Sequence, residues 1–229
     1  MAEQHTVSAF DDEINRLRGL VAEMGGRVEL ALDEAMQALV KQEPGLAERV
    51  IEGDLRVDAL EAEVEKLVVQ IIALRAPMAN DLREVIAALK IVGVIERIGD
   101  YAKNIAKRSR QISGHRTIEP ISLLPSMAQI AGEMVHDALD AFATRNAVLA
   151  SAVIERDVLV DNFYNSIFRT LVTYMVENPK TISECAHLLF VAKNIERIGD
   201  HATNVAEMVY YAATGEYLPE RDRAALAEG

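Results

Sequence analysis

Ile95-Glu96-Arg97-Ile98-Gly99-Asp100 recurs unchanged as Ile195-Glu196-Arg197-Ile198-Gly199-Asp200, and Ala102, Asn104 and Ala106 are answered by Ala202, Asn204 and Ala206. Nine of the twelve positions are identical at a spacing of one hundred residues, which marks an internal duplication with one supersecondary unit per copy. Ile95, Ile98, Ala102 and Ile105 fall at steps of three and four, so the stretch reads as a helix with one apolar stripe. Glu96, Asp100 and Asn104 form a second stripe. At about 100° per residue it lies well over a quarter turn from the first, so its oxygens are expected on a flank or outer face and not inside a bundle. Two carboxylates one turn apart cost a helix a few tenths of a kcal/mol, and a mid-helix glycine costs about 1 kcal/mol relative to alanine. Both copies carry both costs. A cation on the oxygens and a close approach of backbone at the glycine would explain them.

Outward from the two signatures, the pattern predicts six long helices. The first covers about 9–41, with Ile14, Leu17, Val21, Val28, Leu32 and Met36 at helical spacing. Glu43-Pro44-Gly45 is a turn signal, and the second helix runs to about Leu74 on Val50, Val57, Leu60, Val64, Leu67 and Ile71. Asn80 is expected to cap the third, which carries the first signature to about Ile112. The region 114–125, with Pro120 and Pro125, reads as a linker between a first three-helix repeat at 1–113 and a second at 126–215. In the second repeat, helices are expected over about 126–144 and 148–177, and from the Asn178-Pro179-Lys180-Thr181 turn to about Thr214-Gly215. A polar, acidic tail follows over 216–229. The fold class expected is all-α, as two pseudo-symmetric three-helix bundles.

Half of the 229 residues are hydrophobic, Trp is absent and aromatics make up 5%, which is the composition of a helical bundle packed on Ala, Val, Leu, Ile and Met. A net charge of −12 argues against nucleic-acid partners, which require a basic stripe to neutralise phosphates. Lys103, Lys107, Arg108 and Arg110 form a local basic patch, read as a solvated face. Cys185 is the only cysteine, so no intramolecular disulfide forms and a reducing cytoplasm fits. The acidic amino terminus reads as no secretory signal. The most apolar long run, 85–95, contains Lys90 and is too short to span a bilayer, so no direct membrane insertion is expected.

The acidic pattern extends beyond the signatures. Asp54 and Asp58 on the second helix are matched by Asp157 and Asp161 on the fifth, and Glu29 with Asp33 and Glu133 with Asp137 repeat it on the first and fourth. The candidate metal ligands are therefore Glu96, Asp100, Asn104, Asp54, Asp58 and Asp33 in one half, and Glu196, Asp200, Asn204, Asp157, Asp161 and Asp137 in the other. Oxygen donors of this kind suit Mg²⁺, Ca²⁺ or Mn²⁺, and bridging carboxylates suit iron or zinc clusters. Arg97 and Arg197 are expected to form ion pairs across the helix interface, and His201, which replaces Tyr101, to be a surface residue able to add a nitrogen ligand. A competing reading takes Glu133 with His136 and Glu184 with His187 as the Glu-x-x-His pairs of a ferritin-like di-metal enzyme or metal store. Helical phase places these pairs on sides that do not converge.

On these residues, and on Met24-Gly25-Gly26-Arg27-Val28-Glu29, Val50-Ile51-Glu52-Gly53-Asp54 and Tyr174-Met175-Val176-Glu177, the sequence resembles the PhoU family of phosphate-specific transport accessory proteins over nearly its whole length. The resemblance implies two three-helix bundles related by pseudo-symmetry. It further implies a cytoplasmic, commonly dimeric, non-enzymatic negative regulator of the phosphate-starvation response, linking the ATPase of the phosphate ABC transporter to a sensor histidine kinase. Multinuclear iron or zinc clusters on Glu/Asp-x-x-x-Asp motifs, which Glu96/Asp100 and Glu196/Asp200 match, are implied for some members.

Overall fold

Apolar residues at steps of three and four give each helix at least one face to bury. The computed structural model describes residues 2–112 and 119–218, with side chains from Phe10 and Pro120 onward in the two stretches. They form α1 (Ala2–Lys41), α2 (Pro44–Arg75), α3 (Ala79–Ile112), a 3-10 turn (Glu119–Leu123), α4 (Leu124–Thr144), α5 (Ala147–Glu177), a second 3-10 turn (Pro179–Thr181) and α6 (Ile182–Thr214). The expected all-α architecture is what the chain adopts, with no strand among the described residues. The six expected helices are the six α-helices among the described residues.

Differences lie at the ends. Asn80 does not cap α3: the helix already begins at Ala79, where φ is 48°, and the Asn80 side chain instead accepts a hydrogen bond from Arg83. Within the stretch read as a linker, 119–123 is a 3-10 turn and α4 begins at Leu124, two residues before the expected start. Residues 113–118 of that stretch, and 219–229 of the expected tail, lie outside the described residues. Other ends follow ordinary capping chemistry. Asn146 accepts from the backbone N–H groups of Val148 and Leu149, both at 3.0 Å, and Gly215 ends α6 with φ 80°, a left-handed conformation suited to glycine.

The helices are arranged as a central ring with two flanks. Helices α1, α3, α6 and α4 pack in a cycle, α1 on α3, α3 on α6, α6 on α4 and α4 on α1, while α2 lies against α1 and α3 and α5 against α4 and α6. The buried sets agree with these roles. On α2 burial centres on Val50, Val57, Leu60, Val64, Leu67 and Ile71, with adjacent pairs at Leu46 with Ala47 and Leu67 with Val68, whereas α3 buries adjacent pairs along most of its length, such as Ala87 with Ala88 and Ile91 with Val92.

Between the halves, contacts run with falling numbers on one helix as they rise on the other. A Cβ on Gly25 would meet Leu139 and one on Gly132 would meet Leu32, so α1 and α4 are antiparallel. On α3 and α6, Tyr101 stacks edge-to-face on His201, with ring centroids 5.1 Å apart. These are equivalent positions of the two copies, so the pseudo-two-fold axis passes between them.

Candidate functional site

Each signature faces the seam between its helix and the flanking one. In the α2–α3 seam the half-buried Glu96 and Asp100 lie on the flank, as the helical phase expects, while Asp54 is deeper, at 7% exposed. The glycine of the signature explains the difference. A Cβ on Gly99 would sit 3.3 Å from Val28 of α1, 3.6 Å from Val57 of α2 and 3.8 Å from Asp54 Oδ1. Gly199 repeats this, with Val160 at 3.3 Å and Asp157 Oδ1 at 3.4 Å. The close approach inferred at the glycine is thus made by side chains of the neighbouring helices. One of them is the acid that the seam encloses.

The first seam gathers Asp58 and Glu61 of α2 with Glu96 and Asp100 of α3. Burial first, and then Asp100, raise the Glu96 carboxyl above its ordinary range, with smaller contributions from Glu61 and Asp58 and opposition from Arg97. Glu61 is raised by burial, then by Glu65 and Asp58. Deeper in the same seam Lys103 donates to Asp54 and, at 3.2 Å, to Asp100 Oδ1. Asn104 is exposed.

The second seam gathers Asp157 and Asp161 of α5 with Glu196 and Asp200 of α6. The Asp157 carboxyl is pushed up to about 6, by burial first and then by Asp161, Asp200 and Glu196, with only the Thr203 hydroxyl acting the other way. Its Oδ1 is buried and accepts no hydrogen bond. Asp161 is raised by burial and Glu196, and Asp200 by burial and Asp161. Lys193 contacts both oxygens of Glu196 at 2.5 Å and lies 5.3 Å over the Tyr164 ring. Asn204 is half-buried.

The remaining candidates lie in other surroundings. Asp33 is exposed and accepts from Gln37 at 2.8 Å, and Asp137 pairs with Arg156 at 2.8 Å. Among the described residues no three His, Cys, Asp or Glu side chains stand close enough to hold one ion as they lie. Arg97 pairs with its own neighbour Glu96 at 3.6 Å, so the expected bridge across the helix interface is not made there. Arg197 does cross to the other half, but its guanidinium lies 5.7 Å over the Tyr101 ring. His201 donates from Nδ1 to the Arg197 carbonyl at 2.8 Å and packs on Tyr101, facing the joint between halves. The basic patch is only partly solvated: besides Lys103, Arg108 bonds His187 at 3.1 Å and lies 4.6 Å over Phe190. The two Glu-x-x-His pairs do not share a site. His136 contacts Glu29 of α1 at 3.3 Å, while His187 contacts Arg108 of α3. The buried polar residues among those described are Asp54, Glu84 and Ser109, so no carboxylate–histidine set lines the core.

Glu84 escaped the sequence reading. It is 3% exposed and bonds Arg18 of α1 at 2.6 Å and Arg145 of the α4–α5 turn, joining the halves. Burial, and then Arg18, lower the Arg145 guanidinium. One sequence signal was available: a glutamate in the otherwise apolar register of Val85, Ala88, Ile91 and Val92.

A six-helix, all-α chain made of two repeated three-helix units, each closing an acidic seam beside a glycine, defines a duplicated helical-bundle protein with paired carboxylate sites. A sequence profile described as the PhoU domain matches residues 21–109 and again 124–209, and the chain belongs to the PhoU family. It is 52% identical over 96% of its length to the phosphate-specific transport system accessory protein PhoU homolog of Zymomonas mobilis, covering 92% of that protein. Among solved structures, PhoU from Pseudomonas aeruginosa superposes with a TM-score of 0.87 at 38% identity, over 90% of this chain and all of that one. The phosphate transport system regulatory protein PhoU from Streptococcus pneumoniae gives 0.85 at 26% identity, over 92% and 99%.

Proposed function

We propose that the chain is a non-enzymatic regulator of phosphate homeostasis. It represses the phosphate-starvation regulon and modulates phosphate uptake by linking the ATPase of the phosphate ABC transporter to the sensor histidine kinase. The observation that carries this reading is the near-full-length similarity to phosphate-specific transport system accessory proteins, with both signatures inside matched PhoU domains. In this reading it is a cytoplasmic homodimer that reaches the membrane through its partners; no described helix is long and apolar enough to cross one. The test is a starvation-promoter reporter in cells grown with ample phosphate. Deleting the chain derepresses the reporter, and restoring it represses the reporter again. Repression that persists after deletion refutes the regulatory role.

Within this reading the acidic seams serve as structural or regulatory metal sites. The second seam offers only oxygen donors around the buried Asp157 Oδ1, which accepts no hydrogen bond; its carboxylates would have to close up to hold one ion, since no three stand near enough as they lie, and Lys193 already bonds Glu196. Asp157, Asp161, Glu196 and Asp200 would hold the ion, with Asn204 beside them, and the metal would offset the repulsion of the exposed Asp161 and Asp200 on the half-buried Asp157. The first seam does not fit, because Lys103 already bonds Asp54 and Asp100. Elemental analysis of the native protein, beside a variant with Asp157 and Asp200 changed to Asn, tests the metal reading. Equal metal content in the two would reject it.

A further inference from the structure

The two seams come from one ancestral pattern, and three of their differences place charge differently. On the signature helices, Gly93 and Lys103 correspond to Lys193 and Thr203. On the flanking helices, registered by Asp54/Asp157 and Asp58/Asp161, Glu61 corresponds to Tyr164; beyond the signature itself, Tyr101 corresponds to His201, and that pair belongs to the joint between halves.

The differences move the positive charge from one place in the seam to another. In the first half Lys103 lies in the turn after Asp100 and reaches inward, to the most buried carboxylate of the seam and to Asp100 together. In the second half Thr203 brings only a neutral hydroxyl, which lies 3.2 Å from the Gly199 carbonyl and is the smallest of the influences on Asp157. The lysine there, Lys193, enters about two turns before Asp200, holds Glu196 and rests on Tyr164. The glutamate equivalent to Tyr164, Glu61, lies 3.5 Å from where a Cβ on Gly93 would stand, an ordinary contact distance, whereas in the second half that pair of positions holds Lys193 over the Tyr164 ring. Lys193 relieves Asp161 and Asp200, but the charged groups that bear on Asp157 are Asp161, Asp200 and Glu196, all acidic. The carboxylates that correspond to Asp54 and Asp100 thus face each other in the second half without the ammonium that bridges them in the first.

We infer that Lys103 is the resident counter-cation of the first seam, standing where a divalent ion would sit, so that only the α5–α6 seam of this chain depends on an added cation. This rests on the metal reading above, which it restricts to one half and to the residue type at positions 103 and 203.

The test uses the full chain, Mn²⁺ as the probe, and two readouts: Mn²⁺ binding by calorimetry, and the thermal midpoint with and without Mn²⁺. In the wild type, Asp157→Asn removes Mn²⁺ binding and Asp54→Asn leaves it. Thr203→Lys supplies the missing ammonium, raising the metal-free midpoint and weakening Mn²⁺ binding by about a hundredfold or more, as a unit charge within a few ångströms of the ion requires. Lys103→Thr lowers the metal-free midpoint, and Mn²⁺ restores it by binding at the first seam. Thr203→Lys that leaves Mn²⁺ binding unchanged, or Lys103→Thr that leaves the metal-free midpoint unchanged, overturns the inference. Should the wild type bind no Mn²⁺ while Thr203→Lys raises the metal-free midpoint and Lys103→Thr lowers it, the metal reading fails and the assignment of Lys103 as counter-cation stands.

Discussion

Glu84 gives the sharpest test of how the two halves are held together. Its carboxylate is almost wholly buried and binds two arginines, Arg18 from α1 and Arg145 from the turn that leads into α5. Changing Glu84 to Gln keeps the shape of the side chain and removes the charge, leaving two guanidinium groups to share a neutral amide. Removing one partner of a fully buried ion pair costs about 3–5 kcal/mol. Here the arginine side chains keep 28% and 45% of their exposure, so water solvates much of the freed charge and the expected loss falls to about 2–3 kcal/mol. For a chain of this size each kcal/mol moves the midpoint by about 2–4 °C, so the variant should melt roughly 5–10 °C lower. Thermal unfolding followed by far-ultraviolet circular dichroism reads this directly, and because the contact joins the halves, the transition should also broaden. Combining Glu84→Met with Arg145→Met should recover part of the loss, since the buried carboxylate and one of its cations leave together. A midpoint within about 2 °C of wild type for Glu84→Gln would show that the cluster is not a structural joint.

Adjacent glycines on α1 should respond in opposite directions. Nothing lies within 4 Å of a Cβ on Gly26, so Gly26→Ala should stabilise by about 1 kcal/mol through helix propensity. A Cβ on Gly25 would approach Leu139 Cδ1 to 2.3 Å, and the overpacking cost of about 1–3 kcal/mol should cancel or exceed the same gain; chemical denaturation of the two variants checks both signs. Asn146→Ala should cost about 1 kcal/mol, because two N–H groups at the start of α5 lose their acceptor, and hydrogen exchange at Val148 and Leu149 should rise. Glu13 is bonded by Arg75 through both oxygens at 2.9 Å, and that bond holds its carboxyl below the ordinary 4.5. An acid whose folded-state value is depressed contributes stability that is present above 4.5 and lost as pH falls through the lowered value. Glu13→Gln should therefore flatten the acid limb of the stability curve below pH 4.5; an unchanged limb would count against the pair.

Most of the fold was legible because it is written in local periodicity. Steps of three and four in Val50, Val57, Leu60, Val64 and Leu67 identify α2 without reference to the rest of the chain, and the repeated signature supplies the two-fold relation of the halves. The candidate seams were legible in the same way, since Asp54/Asp58 and Asp157/Asp161 share the spacing of the signature carboxylates. What escaped depends on how helices slide against one another. Lys103 reads as one member of a solvated basic run, and only the register of α3 on α2 brings it to Asp54. Glu84 looks like a charge misplaced in an apolar stripe until α1 and the α4–α5 turn deliver Arg18 and Arg145 from 66 positions before it and from the other half of the chain. The depth of Asp54 has a related cause: helical phase places it on the flank of the α2 stripe, and the missing side chain of Gly99 lets the neighbouring helix sink closer.

Tyr101 against His201 has a consequence for how the molecule presents itself. Two identical units brought together about this axis would set one residue type against its own copy, giving a surface that looks the same after half a turn. In the fused chain the two positions have diverged, one ring presenting its edge to the other, with Arg197 over the tyrosine while its counterpart Arg97 pairs with Glu96. The near-symmetry is thereby broken at its centre. A binding partner lying across α3 and α6 meets a polar, directional surface and can seat in one orientation in preference to the reverse.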